Sequence, residues 1–128
     1  QGQLKLSLIL ISHDLSVVSE ICDRVAIMYA GKIVEFGKTS EIFADPLHPY
    51  TVGLLGAFPN IDGKRRRLSS ISGFPPDLLE PPPACRFHPR CPISRPICTQ
   101  KEPILEQKKP ERLAACHFAG EHKLGGSK

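Results

Sequence analysis

The sequence predicts an α/β unit followed by a small irregular, cysteine-rich, metal-binding extension, and three observations lead there. A continuous apolar run, Leu6–Ser12, gives way at once to residues with helical spacing, which is the strand, turn, helix order of an α/β fold. Proline is unevenly spread, with 10 of the 13 prolines between Pro75 and Pro110, and this excludes long helices and central strands from the C-terminal part. Four of the five cysteines fall in that same part, which has no sustained hydrophobic period. A length of 128 residues leaves room for one compact domain, or a partial domain with an appendage, and rules out a multidomain enzyme.

Leu6–Ser12 (LSLILIS) has strand length and no polar alternation, the pattern of a strand buried on both faces of a parallel sheet. Asp14–Cys22 then places Leu15, Val18 and Cys22 on one helical stripe, with Asp14 at the end where an acid is favoured. Arg24–Ala30 and Lys32–Phe36 are β-favouring runs joined through Ala30-Gly31, which reads as a tight hairpin ended by Gly37. Thr39–Ala44 reads as a short helix with a hydroxyl residue at its start and Pro46 at its end. A second short helix is expected from Pro49 to Phe58, with Pro in its first turn and Val52, Leu55 and Phe58 along one face. Asn60–Ser72 has Gly, Ser and four consecutive basic residues, Lys64–Arg67, and this is linker composition. The expected organisation is therefore a unit over residues 1–60, a basic linker over 61–72 and a Pro/Cys-rich extension over 73–128.

The net charge of +4 conceals a split, −3 over residues 1–63 and +7 over 64–128. No apolar stretch approaches the roughly 18 residues of a membrane-spanning helix, and there is no basic start with an apolar run and cleavage site, so the chain reads as soluble and cytosolic. It opens on Gln1 with a strand-like run close behind, as a piece from the interior of a longer protein would.

The clustered cysteines follow the pattern Cys85-x5-Cys91-x6-Cys98-x17-Cys116. In a reducing cytosol such a cluster binds metal more often than it forms disulfides, and a Pro-rich segment with little apolar surface can draw its folding free energy from metal–thiolate bonds. Zinc knuckles usually pair ligands two to four residues apart, a spacing absent here, whereas gaps of this size suit loops converging on a larger [4Fe–4S] cluster. The spacing favours iron–sulfur, with zinc or disulfides as the alternatives. His88 and His117 can replace a thiolate or act as outer hydrogen-bond donors. Cys22, on its helix stripe, reads as a small core residue. Lys64–Arg67, Arg86, Arg90 and Arg95 can form a nucleic-acid patch, but the absence of Trp and 6% aromatics leave few platforms for bases. A solvated linker and donors around an anionic cluster account for them equally simply.

Leu8–Glu35 (LILISHDLSVVSEICDRVAIMYAGKIVE) closely resembles the end of the nucleotide-binding domain of ABC transporters. Leu47-His48-Pro49-Tyr50-Thr51 and the later CRFHPRCP narrow the resemblance to the ATP-binding subunits of oligopeptide and dipeptide importers. The resemblance implies that His13 is the switch histidine, whose imidazole hydrogen-bonds the γ-phosphate and helps position the attacking water, and that Asp14 adjoins a loop of the dimer partner. Independently of it, His13 follows a strand, the end at which α/β sheets bind ligands. A lone histidine at such a place is more often structural; the ISHDL context points to catalysis. The sequence contains no G-x-x-x-x-G-K-[ST] loop, no LSGGQ-like signature and no apolar run ending in Asp-Glu, so this chain by itself is expected to be inactive as an ATPase, ATP and Mg²⁺ being ligands of the parent subunit.

The resemblance further implies that Cys85, Cys91, Cys98 and Cys116 are the cysteines of the family's C-terminal extension, which holds a [4Fe–4S] cluster, with a structural or redox-sensing role because every iron is ligated. Ala84 stands where the family commonly has Gly before the first cysteine. The partners implied are transmembrane permease subunits, a second ATP-binding subunit, identical or not, and, indirectly, a peptide-binding protein; nucleic acid is not among them. The location implied is the cytoplasmic face of the membrane, peripherally bound. Two other readings compete with this peptide-import module: a stand-alone iron–sulfur or redox module, and a metal-stabilised nucleic-acid binder.

Overall fold

A computed structural model describes residues 3–57 and 71–121. Helix α1 covers Leu15–Ile21; the Asp14 carboxylate caps it by accepting from Ser16 N–H at 2.9 Å and Val17 N–H at 3.3 Å, while Leu15 and Val18 are buried. This is the expected helix and the expected stripe, and Cys22 packs half-buried against the core. Strands β1 (Arg24–Tyr29) and β2 (Lys32–Lys38) form the expected antiparallel hairpin. Its turn is the primed type, because Ala30 (φ +48°) and Gly31 (φ +78°) both take positive φ. Gly37 does not end the hairpin: it pairs with Val25, and β2 runs on through Lys38.

Helix α2 (Thr39–Ala44) lies across this hairpin with Ile42 fully buried, and α1 packs on α2. The hydroxyl at its start does not cap it; Lys38 occupies the cap position, and the Thr39 hydroxyl is buried without a partner. Helix α3 (Pro49–Gly56) ends before the expected limit, and Phe58 lies outside the described residues. Its inward face is also rotated from the expected one: Pro49 and Thr51 are buried and Tyr50 and Leu54 meet the core. The reason is that Pro49 is itself buried, which orients the first turn differently from a Val52–Leu55 stripe.

The apolar run Leu6–Ser12 is not a strand. It has no ladder partner among the described residues and is exposed, Ile9 at 90% and Ile11 at 95%. A doubly buried strand needs neighbours on its edges and cover on both faces, and the described sheet supplies neither. That sheet is antiparallel rather than parallel, in the order β1-β2-β4-β3. Its other half comes from the Pro/Cys-rich part: β3 (Glu106–Lys109) and β4 (Arg112–Ala114) form a second hairpin, and β4 pairs with β2 through Glu35↔Ala114 and Phe36↔Leu113. Proline content predicts no central strand there, yet β4 is one. It is allowed because Pro110 is the last proline, so every residue of β4 can donate to a ladder.

The core gathers Val18, Val25, Ile27, Tyr29, Val34 and Ile42 with Phe87 from the cysteine segment. A short α4 (Ile97–Gln100) carries Cys98 inward.

Candidate functional site

His13 sits in a bend between the exposed apolar run and α1, one residue before the Asp14 cap, and is itself exposed. Ser12 Oγ accepts from Asp14 N–H at 3.0 Å and so shapes that bend.

The four cysteines, by contrast, line one small cavity together with His48, Phe87, His88 and His117. Tight turns place them: Cys85 N–H bonds Cys98 O at 3.0 Å, His88 N–H bonds Cys85 O at 3.1 Å, and Cys91 N–H bonds His88 O at 3.3 Å as the 3-10 turn His88–Arg90 closes. Cys98 and Cys116 are buried, and Cys85 and Cys91 are half-buried. Burial pushes the Cys116 thiol up to about 11 and raises those of Cys85 and Cys91, and the neighbouring thiols add to it. Against burial stand backbone N–H groups that favour the thiolate: those of Phe87 and His88 at Cys85, of Ile93 at Cys91, and of Phe118 at Cys116. Donors of this kind tune metal-bound sulfur.

Among the described residues no group of three or more His, Cys, Asp or Glu is arranged to hold a single metal ion. The cavity holds about 10 Å³, room for no more than one water-sized occupant. All five cysteines are free thiols. Four thiols ring one cavity with amide donors at three of them; this donor set matches the chemistry of a thiolate-ligated group, although no ion-sized nest is preformed. His88 and His117 each donate one ring N–H to a carbonyl, His88 Nδ1 to Cys85 O at 2.8 Å and His117 Nε2 to Lys101 O at 2.8 Å, the bond that orients an imidazole whether it acts as a ligand or as an outer donor.

Among the described residues, the arginines of the candidate patch are each engaged within the fold. Arg86 donates to Ala30 O; Arg90 donates to Ser72 O at 3.0 Å and Tyr29 Oη at 3.3 Å; Arg95 lies 3.8 Å over the Phe118 ring and pairs with Glu121. Lys64–Arg67 lie outside the described residues.

A further junction escaped the sequence. Glu35, fully buried on β2, accepts from Leu47 N–H at 2.8 Å and His48 N–H at 3.0 Å and meets Arg112 of β4 at 3.1 Å. Arg112 also reaches Asp45, whose carboxyl is held below the usual range mainly by its bond from Lys109. His48 in turn caps α3, its Nδ1 accepting from Tyr50 N–H at 3.0 Å, and its ring lies 5.7 Å from Phe87. A glutamate inside an apolar strand, KIVEF, is the one sequence signal that marks this junction.

Comparison with known proteins places these features in a family. The profile of the oligopeptide/dipeptide transporter C-terminal region matches residues 34–98, about half of the chain, from the buried Glu35 junction to the third clustered cysteine. The oligopeptide transport ATP-binding protein OppD of Salmonella typhimurium is 47% identical over 110 residues, covering 86% of this chain and 32% of that protein. The dipeptide transport ATP-binding protein DppD of Caldanaerobacter subterraneus is 42% identical over 115 residues, 90% and 35% of the two chains. DppD of Bacillus subtilis is 50% identical over 103 residues, 80% and 31%. The chain thus spans about a third of the length of these relatives. With half its length matched by the profile, the chain belongs to the oligopeptide/dipeptide transporter C-terminal region family.

Proposed function

We propose that this chain is the C-terminal part of the ATP-hydrolysing subunit that energises peptide import across the cytoplasmic membrane. The family match carries the reading. In it, residues 1–60 complete a nucleotide-binding domain, 61–72 link, and 73–128 form the extension. The parent subunit binds ATP and Mg²⁺, pairs with a second ATP-binding subunit, docks on transmembrane permease subunits at the cytoplasmic face and has a peptide-binding protein as an indirect partner. Among the described residues no helix is long and apolar enough to cross a membrane, which accords with peripheral docking. His13, exposed in its bend, supplies an imidazole N–H to the γ-phosphate. Such a contact matters most as charge moves in the transition state. In a full-length subunit, His13→Ala is therefore expected to leave ATP binding nearly intact and to lower turnover on the order of 100-fold. Turnover at the wild-type rate would remove His13 from the mechanism.

For the cavity, the reading is that Cys85, Cys91, Cys98 and Cys116 hold a [4Fe–4S] cluster, with zinc as the alternative. A bound cluster would supply cross-links between the four cysteine positions and a redox couple; the chain would supply four thiolates and the amide donors of Phe87, His88, Ile93 and Phe118. The spacing of the four cysteines, with no two of them two to four residues apart, favours the polynuclear group. Protein purified without oxygen is expected to be brown and to contain about four irons and four sulfides per chain. A colourless anaerobic preparation with one stoichiometric zinc would transfer the site to zinc.

A further inference from the structure

A second cavity adjoins the thiol cavity, sharing His48, Cys85, Phe87 and Pro103 with it, and the sheet bounds it. β4 lies between β2 and β3 and is only three residues long, Arg112–Ala114. Its line continues one step, as Ala115 N–H bonds Val34 O at 2.8 Å, and the chain then turns away to Cys116 in the thiol cavity. The flanking chains do not stop there. Because both pairings are antiparallel, Val34, Ile33 and Lys32 extend past the end of β4 on one side, and Leu105, Ile104 and Pro103 on the other. Between them is a space of about 480 Å³ that these residues line together with Tyr29, His48 and the Ala84–Phe87 segment.

This space lies beyond the end of β4, between the lines of its two neighbours. Two strands flanking a third stand roughly 9.6 Å apart, twice the usual spacing, which is the width of one extended backbone. Among the described residues β2 pairs on this side only at Glu35 and Phe36, with the added bond at Val34, so Lys32 and Ile33 have no ladder partner there. The walls offer exposed apolar side chains, Ile33, Ile104 and Leu105. The far end is closed by charge: Lys32 Nζ bridges to Glu102 at 2.7 Å, with the Arg86 guanidinium beside Gly31, two cations to one carboxylate.

We propose that this slot binds a short extended peptide with a free C-terminal carboxylate, which adds to β2 as a continuation of β4. Backbone pairing supplies the affinity of such strand addition, and side-chain pockets supply its selectivity. From Ala115 to the Lys32–Glu102 bridge the slot spans two to three residues at roughly 3.4 Å each. The occupant is thus a di- or tripeptide with apolar side chains against Ile104 and Leu105. Its carboxylate competes with Glu102 for Lys32 and takes up the excess positive charge. The inference rests on the sheet and not on the proposed role in ATP-driven import.

The test is a calorimetric titration of the full chain with tri-leucine, followed by amide shifts in a ¹⁵N-labelled sample. Saturable one-to-one binding is expected, with shifts at Lys32, Ile33, Ile104 and Leu105. Tri-leucine amide, and tri-leucine methylated at its central amide nitrogen, should each bind at least about tenfold more weakly, and octanoate should not compete. Ile104→Asp, on an exposed wall position and so tolerated by the fold, should abolish binding. No saturable binding, or octanoate binding as tightly as tri-leucine, would overturn the proposal. So would self-association of the chain that tri-leucine reverses, which would seat a second copy in the slot.

Discussion

Ala84 holds φ at +59°, in the left-handed region, directly before the first clustered cysteine. An L side chain there costs roughly 1–2 kcal/mol relative to glycine, partly offset because glycine has more freedom to lose on folding. Ala84→Gly is expected to stabilise the chain by about 0.5–1 kcal/mol, read as a higher urea midpoint at unchanged slope; an unchanged or lower midpoint would mean that neighbouring contacts impose the turn without strain. This strain was legible in advance, since the family's usual glycine is replaced here. The fate of Leu6–Ser12 was not, because an apolar run encodes burial but not the strands that must flank it.

At the level of elements, the Glu35–Arg112 pair ties the first hairpin to the second and to the start of α3. Removing one partner of a buried ion pair typically costs about 3–5 kcal/mol, and Arg112→Met is expected to fall in that range by denaturant unfolding. Adding Glu35→Leu to it should not restore stability, because Leu47 and His48 N–H would lose their acceptor at roughly 1–3 kcal/mol each. Recovery to wild type would show that those amides find other partners. Period-two reading located β1 and β2 but concealed this junction. The ladder shifts register between Ile27 and Met28, so Val34 and Glu35, adjacent in sequence, are both buried; strict alternation would send one of them to solvent. The second hairpin was hidden for a related reason. Its turn is Pro110-Glu111, with Glu111 at φ +55°, so the glycine that normally signals such a turn is missing. The cysteines were legible as a set because residue type and spacing alone mark them, whereas their convergence with His48 depends on the fold.

Over the whole molecule, the cysteine segment and the N-terminal half share one sheet and one core, through β4 and Phe87. Cys91→Ser is accordingly expected to lower stability in a single transition seen at β1 and β3 alike, by hydrogen exchange; two separated transitions would show that the halves open independently. The thiols also set an alkaline limit. A group whose folded-state pKa is raised keeps its proton longer when folded, so its contribution is complete below the unfolded value and is lost as pH rises through the folded one. With Cys116 moved from 9.0 to about 11, the reduced, metal-free chain should lose stability between pH 9 and 11. Cys116→Ala should flatten that decline, and an equally steep decline in the variant would assign it to other groups. Finally, the chain has two tyrosines and no tryptophan, and the Tyr29 and Tyr50 rings meet at a tilt with centroids 4.6 Å apart, both against Phe87, two residues from Cys85. All its tyrosine emission therefore originates at one spot beside the thiols. An iron–sulfur chromophore there would drain that light by energy transfer while colourless zinc would leave it bright, so the protein's own glow distinguishes the two occupants.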